Sequence, residues 1–156
     1  MDKSSEPLNV LTFRIGDENY AANVLDIHEV VQTNGDIVPV PGTPDHVLGV
    51  MNLRGNVITV LDLRQVVGLP RDEDQARPII VGHIEGHTVG LMIDEVATVT
   101  EIDPTRIEPT PELGRSGSNG VVRGLIHRND ALYLVIEISA LPVGEKELSL
   151  AAPSTV

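Results

Sequence analysis

Residues 47–63 read VLGVMNLRGNVITVLDL, two apolar runs around a polar turn. The first run is Val47–Leu53, the second is Val57–Leu63, and Arg54-Gly55-Asn56 separates them. Apolar runs of this length on either side of a short glycine-containing turn predict a β-hairpin. The second run is apolar at almost every position rather than at every other one. We therefore expect both of its faces to be covered, as happens where two small barrels pack together.

A related pattern returns later in the chain. A shift of 75 places lays Gly49-Val50-Met51 on Gly124-Leu125-Ile126, and Val57–Leu63 on Leu132–Ile138, so that an acid falls on an acid. A shift of 66 lays Ile27–Val30 on Ile93–Val96. This self-similarity predicts two related halves of a few strands each. Halves of about 60 residues bury little surface alone, so we expect them to lean on each other and leave a groove where they meet.

The boundaries follow from changes in composition along the chain. Residues 70–75 are polar and lack periodicity, which indicates a surface linker. We therefore predict a single domain over residues 8–142, made of a first subdomain at about 8–67 and a second at about 77–142. Segments 1–7 and 143–156 are predicted to be flexible tails.

The composition agrees with strands. The chain has 156 residues and a mass of 16.8 kDa, enough for one ordinary domain or two very small ones. It contains 34 valines and isoleucines against 16 leucines, and only three aromatic residues. β-Branched side chains fit the pleat of a sheet, so the composition favours an all-β fold with an aliphatic core.

The charge of the chain excludes some partners. Twenty-three acidic residues against eleven basic ones give a formal net charge of −12, and the only lysines are Lys3 and Lys146. Binding to phosphate backbones needs clustered basic residues, so a nucleic-acid or anionic-membrane surface is not expected. There is no cysteine, and no apolar run approaches the roughly 18 residues of a membrane span. We expect a cytoplasmic protein without direct membrane insertion.

Two motifs resemble chemical sites. His83-Ile84-Glu85-Gly86-His87 offers two imidazoles and a carboxylate, but Glu85-Gly86 sits between strand patterns and is typical of a turn, whereas the zinc motif HExxH lies on a helix. Segment Gly114–Gly120 is rich in glycine and serine but has no lysine, which favours a connection over a phosphate loop. We therefore expect no metal or cofactor, and no enzymatic activity.

Arg54 is the strongest candidate for binding. It lies at the predicted hairpin turn, where a short stiff support would present a guanidinium outward from an aliphatic surface. The alternative is a structural role as the partner of Glu29 or Asp62. In the second half the equivalent position is Asn129, so the turn itself does not demand arginine.

The residues from about Leu11 to Leu141 resemble the CheW-like coupling proteins of bacterial and archaeal chemotaxis. The densest similarity is in residues 41–64, which hold in order the family signatures Pro-x-x-Pro, Gly-Val-x-Asn-Leu-Arg-Gly and Asp-Leu-Arg. Two departures are Thr59, where many members carry proline, and Ala21-Ala22, which replace a glycine and a larger apolar residue.

The resemblance implies two SH3-like five-stranded β-barrels packed together. It also implies a non-catalytic scaffold, or adaptor, that couples the cytoplasmic tips of methyl-accepting chemoreceptors to the CheW-like regulatory domain of the histidine kinase CheA. The receptor-binding residues expected from the family pattern are Arg54, Glu29, Ile27 and Leu53. A receptor tip is a helical hairpin, and a groove between barrels could accept its apolar face while Arg54 pairs with a helix carboxylate.

The position of the kinase interface is less defined. We expect it at a barrel end, with Val38, Val40 and Val47 as exposed aliphatic candidates; ordinary burial is the alternative for each. Two alternative functions remain open. One is a CheW-like coupling protein of a different array, such as one for surface motility, and the other is a small metal-dependent hydrolase that uses His83 and His87.

Overall fold

A computed structural model describes residues 6–33, 36–72, 76–109 and 121–151. The described strands are β1 (Leu8–Ile15), β2 (Glu18–Asn23), β3 (Ile27–Gln32), β4 (Val47–Leu53), β5 (Asn56–Asp62), β6 (Pro78–Ile84), β7 (His87–Met92), β8 (Glu95–Ile102), β9 (Val122–Arg128) and β10 (Ala131–Ile136). Two short helices are α1 (Leu63–Val66) and α2 (Glu145–Leu148). Single 3-10 turns lie at Val24–Asp26, Pro104–Arg106, Ile138–Ala140 and Ser149–Ala151.

The strands form two five-stranded sheets, each curled into a small barrel. Barrel 1 has the strand order β8-β1-β2-β10-β9, and barrel 2 has the order β3-β6-β7-β5-β4. In each barrel three antiparallel pairs accompany one parallel pair, which is β10 with β2 in barrel 1 and β5 with β7 in barrel 2. The predicted all-β architecture of two packed five-stranded subdomains is confirmed.

The predicted division of the chain between the barrels is wrong. Barrel 2 takes its strands from the uninterrupted stretch β3–β7, and barrel 1 is built from β1, β2, β8, β9 and β10. A boundary between subdomains at 67–77 would fall inside barrel 2. Of the predicted linker, residues 70–72 are described, and they connect α1 to β6 within that barrel. Each half of the sequence therefore gives two strands to one barrel and three to the other, so neither half can form a barrel alone.

The internal repeat corresponds to equivalent positions in the two barrels. Arg54 and Asn129, related by the shift of 75, both have a φ of 53° at the turn of their hairpins. Bridges Val38–Val50 and Glu108–Leu125 repeat the same relation at the outer strands β4 and β9. The matching strand orders place β3 and β8 at corresponding edges, in agreement with the shift of 66.

Strand β5 is covered on both faces, as its sequence predicts. Ile58 and Val60 belong to the core of barrel 2, whereas Leu61 belongs to the apolar cluster that joins the two barrels. Thr59 is also buried, and its hydroxyl donates to the backbone oxygen of Glu147 at 3.0 Å. A nearly continuous apolar strand thus lies where the two cores meet.

Most of the buried apolar side chains lie in this inter-barrel cluster. Barrel 1 contributes residues such as Phe13, Ile15 and Tyr20, and barrel 2 contributes residues such as Ile80 and Leu91. The rings of Phe13 and Tyr20 stack with centroids 5.9 Å apart, and burial raises the pKa of Tyr20 to about 12. The seam between the barrels is therefore a shared core rather than an open cleft.

An ionic cluster also links the barrels. Asp94 lies between β7 and β8, where the chain passes from barrel 2 to barrel 1. Its Oδ2 accepts from the Gly16 N–H and from Arg64 Nη1, both at 2.6 Å, and its Oδ1 accepts from Arg77. Arg77 also pairs with Asp72. The side chains of Asp94, Arg64 and Arg77 are each less than a fifth exposed, so these charges depend on one another.

The predicted C-terminal tail is wrong for its described part. Residues 143–151 form α2 and a 3-10 turn that pack back on barrel 2 through β5. Leu148 is only 1% exposed and belongs to the inter-barrel cluster. Val143 and Leu150 pack against the same cluster. These apolar side chains explain why the segment docks, since their burial offsets the entropy of ordering it. Residues 1–5 and 152–156 of the predicted tails lie outside the described residues.

Leu148→Ala is expected to lower the free energy of unfolding by about 2 kcal/mol, because it leaves a cavity under the docked segment. The loss is limited because a short docked segment can detach without unfolding the barrels. Urea denaturation followed by circular dichroism measures the change. Lys146→Ala is the matched control on the exposed side of the same helix, with an expected change below about 0.5 kcal/mol. Equal stabilities of the two variants would contradict the docking.

Candidate partner-binding site

Arg54 is presented on a rigid two-residue turn between β4 and β5. Arg54 and Gly55 have φ values of 53° and 88°, and the Gly55 N–H donates to Asn52 Oδ1 at 2.9 Å. This left-handed turn suits the twist of a hairpin, and the positions normally favour asparagine or glycine. The left-handed conformation is less favourable for arginine than for asparagine, which is the residue at the equivalent position 129.

The guanidinium of Arg54 forms a two-pronged ion pair with Glu29 on β3. Nη2 donates to Oε1 at 2.7 Å, and Nη1 donates to Oε2. Hydrogen bonds from Arg54 hold the pKa of Glu29 below its usual range. Arg54 nevertheless remains 66% exposed, so the pair orients the guanidinium without removing it from the surface. Of the two structural partners considered from sequence, the geometry selects Glu29.

Asp62 has a different role. Its side chain is buried, and its Oδ1 accepts from the backbone N–H of Arg64 at 3.0 Å, which caps the start of α1. Burial raises the pKa of Asp62. Its nearest ion-pair partner is Arg71 at 3.9 Å, and Arg54 is not part of this group.

Three apolar residues lie close to Arg54 or Glu29 along the chain. Ile27 is half-buried and packs against the inter-barrel cluster, whereas Leu53 is half-buried and packs against the core of barrel 2. Leu25, which the sequence reasoning missed, is 84% exposed on the 3-10 turn that leads into β3. The Asn23 side chain fixes this turn by accepting from the Leu25 N–H at 2.9 Å. The structure therefore brings Arg54 and Glu29 together, whereas Ile27, two residues before Glu29 on β3, and Leu53 each pack partly against a core.

Two histidines continue the polar side of this surface. His28 Nε2 lies 3.8 Å from Glu29 Oε2, and the ring of His28 meets the ring of His83 edge-on with centroids 5.8 Å apart. The register shifts between Ile27 and Glu29 where β3 pairs with β6, which places His28 at a bulge. Sequence reasoning assigned His83 to a hairpin end but did not connect it with His28.

The predicted kinase-facing valines differ in exposure. Val38 is 61% exposed beside its bridge to Val50, and Val40 is half-buried. The expectation that Val47 is exposed is wrong, since it is 4% exposed in the inter-barrel cluster. It pairs with Leu61 at the start of β4, where the strand contributes to the core shared with barrel 1. Val38 and Val40 remain predictions for a partner surface.

The two histidines of the suggested metal motif point to opposite faces of their hairpin. His83 pairs with Thr88 and His87 pairs with Ile84, and neighbouring pairs alternate between faces. Glu85 and Gly86 form the predicted turn between them, with φ values of 49° and 84°. Among the described residues no group of three or more histidine or acidic side chains is arranged to hold a metal ion. Segment Gly114–Gly120, the phosphate-loop alternative, lies outside the described residues.

No helix in residues 6–33, 36–72, 76–109 or 121–151 has both the length and the apolar character needed to cross a bilayer.

Known proteins share both the sequence and the architecture. The sequence profile of the CheW-like domain matches residues 9–144. The chemotaxis protein CheW of Helicobacter pylori is 35% identical over 142 residues, which cover 90% of this chain and 84% of that protein. The probable chemotaxis protein CheW of Rhizobium etli is 31% identical over 133 residues, 85% of each chain.

The solved structure of the scaffolding protein TtCheW from Thermoanaerobacter tengcongensis superposes with a TM-score of 0.74 at 32% identity. The match covers 84% of this chain and 89% of that one. The similarity of sequence and of structure each extends over most of the chain. The chain therefore belongs to the CheW-like domain family of chemotaxis scaffold proteins.

Proposed function

We propose that this chain is a non-catalytic adaptor that couples the cytoplasmic tips of methyl-accepting chemoreceptors to the histidine kinase CheA. It would act in the cytoplasm, at membrane-associated arrays that it joins through these protein partners. The observation that carries the proposal is Arg54, a highly exposed guanidinium fixed by Glu29 on a rigid turn. A group oriented in this way needs little further ordering when a partner binds.

The receptor surface is proposed to comprise Arg54, Glu29, Ile27 and the exposed part of Leu53. A helix of a receptor hairpin could lay an apolar face on the aliphatic side chains, with one of its carboxylates accepting from Arg54. The remaining N–H groups of the guanidinium are suited to this, because arginine carries five donors and Glu29 uses two. Leu25 extends the apolar part of this surface at the entry to β3.

The kinase surface is proposed to lie at the outer side of barrel 2 near Val38 and Val40. The segment of Val38 bridges to β4 at the edge of the sheet, where an exposed aliphatic side chain could pack on a similar barrel of the kinase regulatory domain. Signal would pass as a bias on the conformations of the kinase, with no reaction on this chain. An adaptor of this kind requires no cofactor.

A pull-down tests the whole proposal. The purified chain would be incubated with a chemoreceptor cytoplasmic fragment and with the CheA regulatory domain, first separately and then together. We expect it to retain each partner alone and to bring the two into one complex. Capture of neither partner would overturn the proposal, and capture of the kinase domain alone would overturn the receptor part. Capture by components of another array only would favour the alternative coupling function.

Arg54→Ala is expected to reduce receptor-dependent activation of CheA by about tenfold or more, as removal of a central binding residue does. The folded fraction should change little because the side chain is exposed. The measurement is kinase phosphorylation in a reconstituted array, together with the melting temperature.

Two further variants show whether a loss of activation is due to the Arg54 charge, to a change in the turn, or to the removal of any exposed arginine. Arg54→Asn introduces the residue found at the equivalent turn of barrel 1. It removes the positive charge, and asparagine tolerates the left-handed backbone conformation of this turn. Arg106→Ala removes another exposed arginine, on the connection after β8. We expect the asparagine variant to lose activation and the Arg106 variant to keep it. Full activation by Arg54→Asn would exclude Arg54 from the receptor surface.

A further inference from the structure

His28 and His83 form an exposed imidazole pair beside the Arg54–Glu29 ion pair. They lie on neighbouring strands, β3 and β6, with ring centroids 5.8 Å apart. His28 Nε2 is also 3.8 Å from the same Glu29 oxygen that accepts from Arg54 Nη1. Arg54, Glu29, His28 and His83 therefore form one row of side chains, here called the histidine row.

Four charged residues are close to the imidazoles. Asp26 lies on the 3-10 turn before β3, two residues from His28, and Glu85 lies at the β6–β7 turn, two residues from His83. Glu29 and Arg54 lie next to His28, and the cross-strand neighbour of His83 on β7 is the uncharged Thr88. His87 is on the other face of the β6–β7 hairpin. With both imidazoles neutral the row has no net charge. Protonation of both imidazoles gives it a charge of about +2, since Glu29 stays ionised above the acidic range.

We propose that His28 and His83 make the Arg54 surface proton-sensitive, so that an acidic helix of the receptor partner binds more tightly as the pH falls from about 8 to about 6. The inference rests on the proposed function and adds a regulation of the same site. Protonation of the imidazoles makes the row positive on a chain whose net charge is −12. Charge complementarity therefore selects an acidic partner face.

The physical steps concern the shared carboxylate. When His28 takes up a proton, its ring becomes a second cation close to Glu29 Oε2 and competes with Arg54 for that oxygen. The Arg54 charge is then less neutralised and can attract a partner carboxylate more strongly. A proton on His83 adds a further positive charge next to His28. Because the protonated form binds more tightly, binding should be accompanied by proton uptake. The dissociation constant for the receptor partner should therefore decrease as the pH is lowered.

The experiment is calorimetric titration of a chemoreceptor cytoplasmic fragment into the full chain at about pH 8, 7 and 6, the range in which imidazoles change charge. We expect the wild-type protein to bind about threefold to tenfold more tightly at the lowest pH, the size of one or two surface charge contacts. The double variant His28→Gln/His83→Gln should lose most of this dependence. His127→Gln, which removes an exposed histidine from β9 of barrel 1, should keep it.

The outcomes separate the two proposals. Binding with the same affinity at each pH, or a double variant that keeps the wild-type dependence, would overturn the role of the histidines while leaving the adaptor function intact. No binding at any pH would overturn both.

Discussion

Gly49→Ala is expected to lower the free energy of unfolding by about 4 kcal/mol, a value found only for severe structural changes. A Cβ at Gly49 would lie 2.0 Å from the carbonyl oxygen of Val38 and 2.7 Å from its carbonyl carbon. The φ of +145° is also one that side-chain-bearing residues rarely adopt. The obstacle is backbone, and it belongs to a segment held by two hydrogen bonds of 2.8 and 2.9 Å between Val38 and Val50. Relief of the clash would therefore break this bridge at the edge of barrel 2.

A second glycine separates the clash from the conformational cost. Gly42 has a φ of +82° and no atom within 4 Å of a Cβ, so Gly42→Ala should cost only about 1 kcal/mol. Gly124→Ala tests the repeat, since its Cβ would lie 2.5 Å from the carbonyl oxygen of Glu108 at the equivalent place in barrel 1. Chemical denaturation of the three variants gives the comparison. A Gly49 variant as stable as the Gly42 variant would contradict the close approach of the two backbones.

Local structure was predictable where a short segment contains all the information. The β4–β5 hairpin follows from two apolar runs and a three-residue polar turn, and its strand β5 is covered on both faces as its unbroken apolar run indicates. The repeat also pointed to equivalent positions, which are now seen at Arg54 and Asn129. These features depend on side-chain period and turn preference, which act over a few residues.

The exchange of strands between the barrels could not be predicted in the same way. Each half of the sequence contains strands with a pattern suited to a barrel. The alternation of apolar and polar residues does not indicate which sheet edge a strand will join. The connection at Val24–Asp26 carries the chain out of barrel 1, and the passage around Asp94 returns it. Whether a connection folds back or crosses over depends on the packing of both cores together, which is a non-local property.

Burial of the C-terminal segment was missed for a related reason. Residues 143–151 form a segment of nine residues with four apolar side chains, which is too short to show a periodic pattern. Leu148 nevertheless finds a place in the shared core, because the end of barrel 1 directs the chain across β5. The burial of Val47 was also missed for a non-local reason. A valine at the start of a strand is exposed or buried according to the residues that pack against it in the folded protein.

The candidate site was partly predictable. Position at a turn singled out Arg54, and Glu29 was among the partners considered for it, but only the fold selects that pairing. The contact between His28 and His83 depends on the register of β3 against β6 and on a bulge, and the two residues lie 55 positions apart. Such a register is determined by the packing of the whole sheet.

Asp94→Ala is expected to lower the free energy of unfolding by about 3 kcal/mol, because it removes the carboxylate that two largely buried arginines share. Arg64 and Arg77 both donate to this carboxylate, and the backbone N–H of Gly16 loses its acceptor as well. Arg77 keeps its contact with Asp72, and Arg64 keeps a hydrogen bond to the Pro70 oxygen at 2.9 Å, which limits the loss. Denaturation by urea measures the effect.

Two variants show whether the charge or the link between barrels is responsible. Glu95→Ala removes the adjacent carboxylate, which pairs with Arg14 at 3.2 Å on an exposed surface, and it should change stability by less than about 1 kcal/mol. Asp94→Asn keeps one oxygen that can accept from Gly16, but it removes the charge and replaces the oxygen that accepts from Arg77 with an amide donor, so we expect it to be intermediate. If Asp94→Ala were as stable as Glu95→Ala, the ionic cluster around Asp94 would contribute no more to stability than an exposed ion pair does. The apolar cluster would then contribute most of the connection between the barrels, and Leu148→Ala would become the more damaging of the two changes.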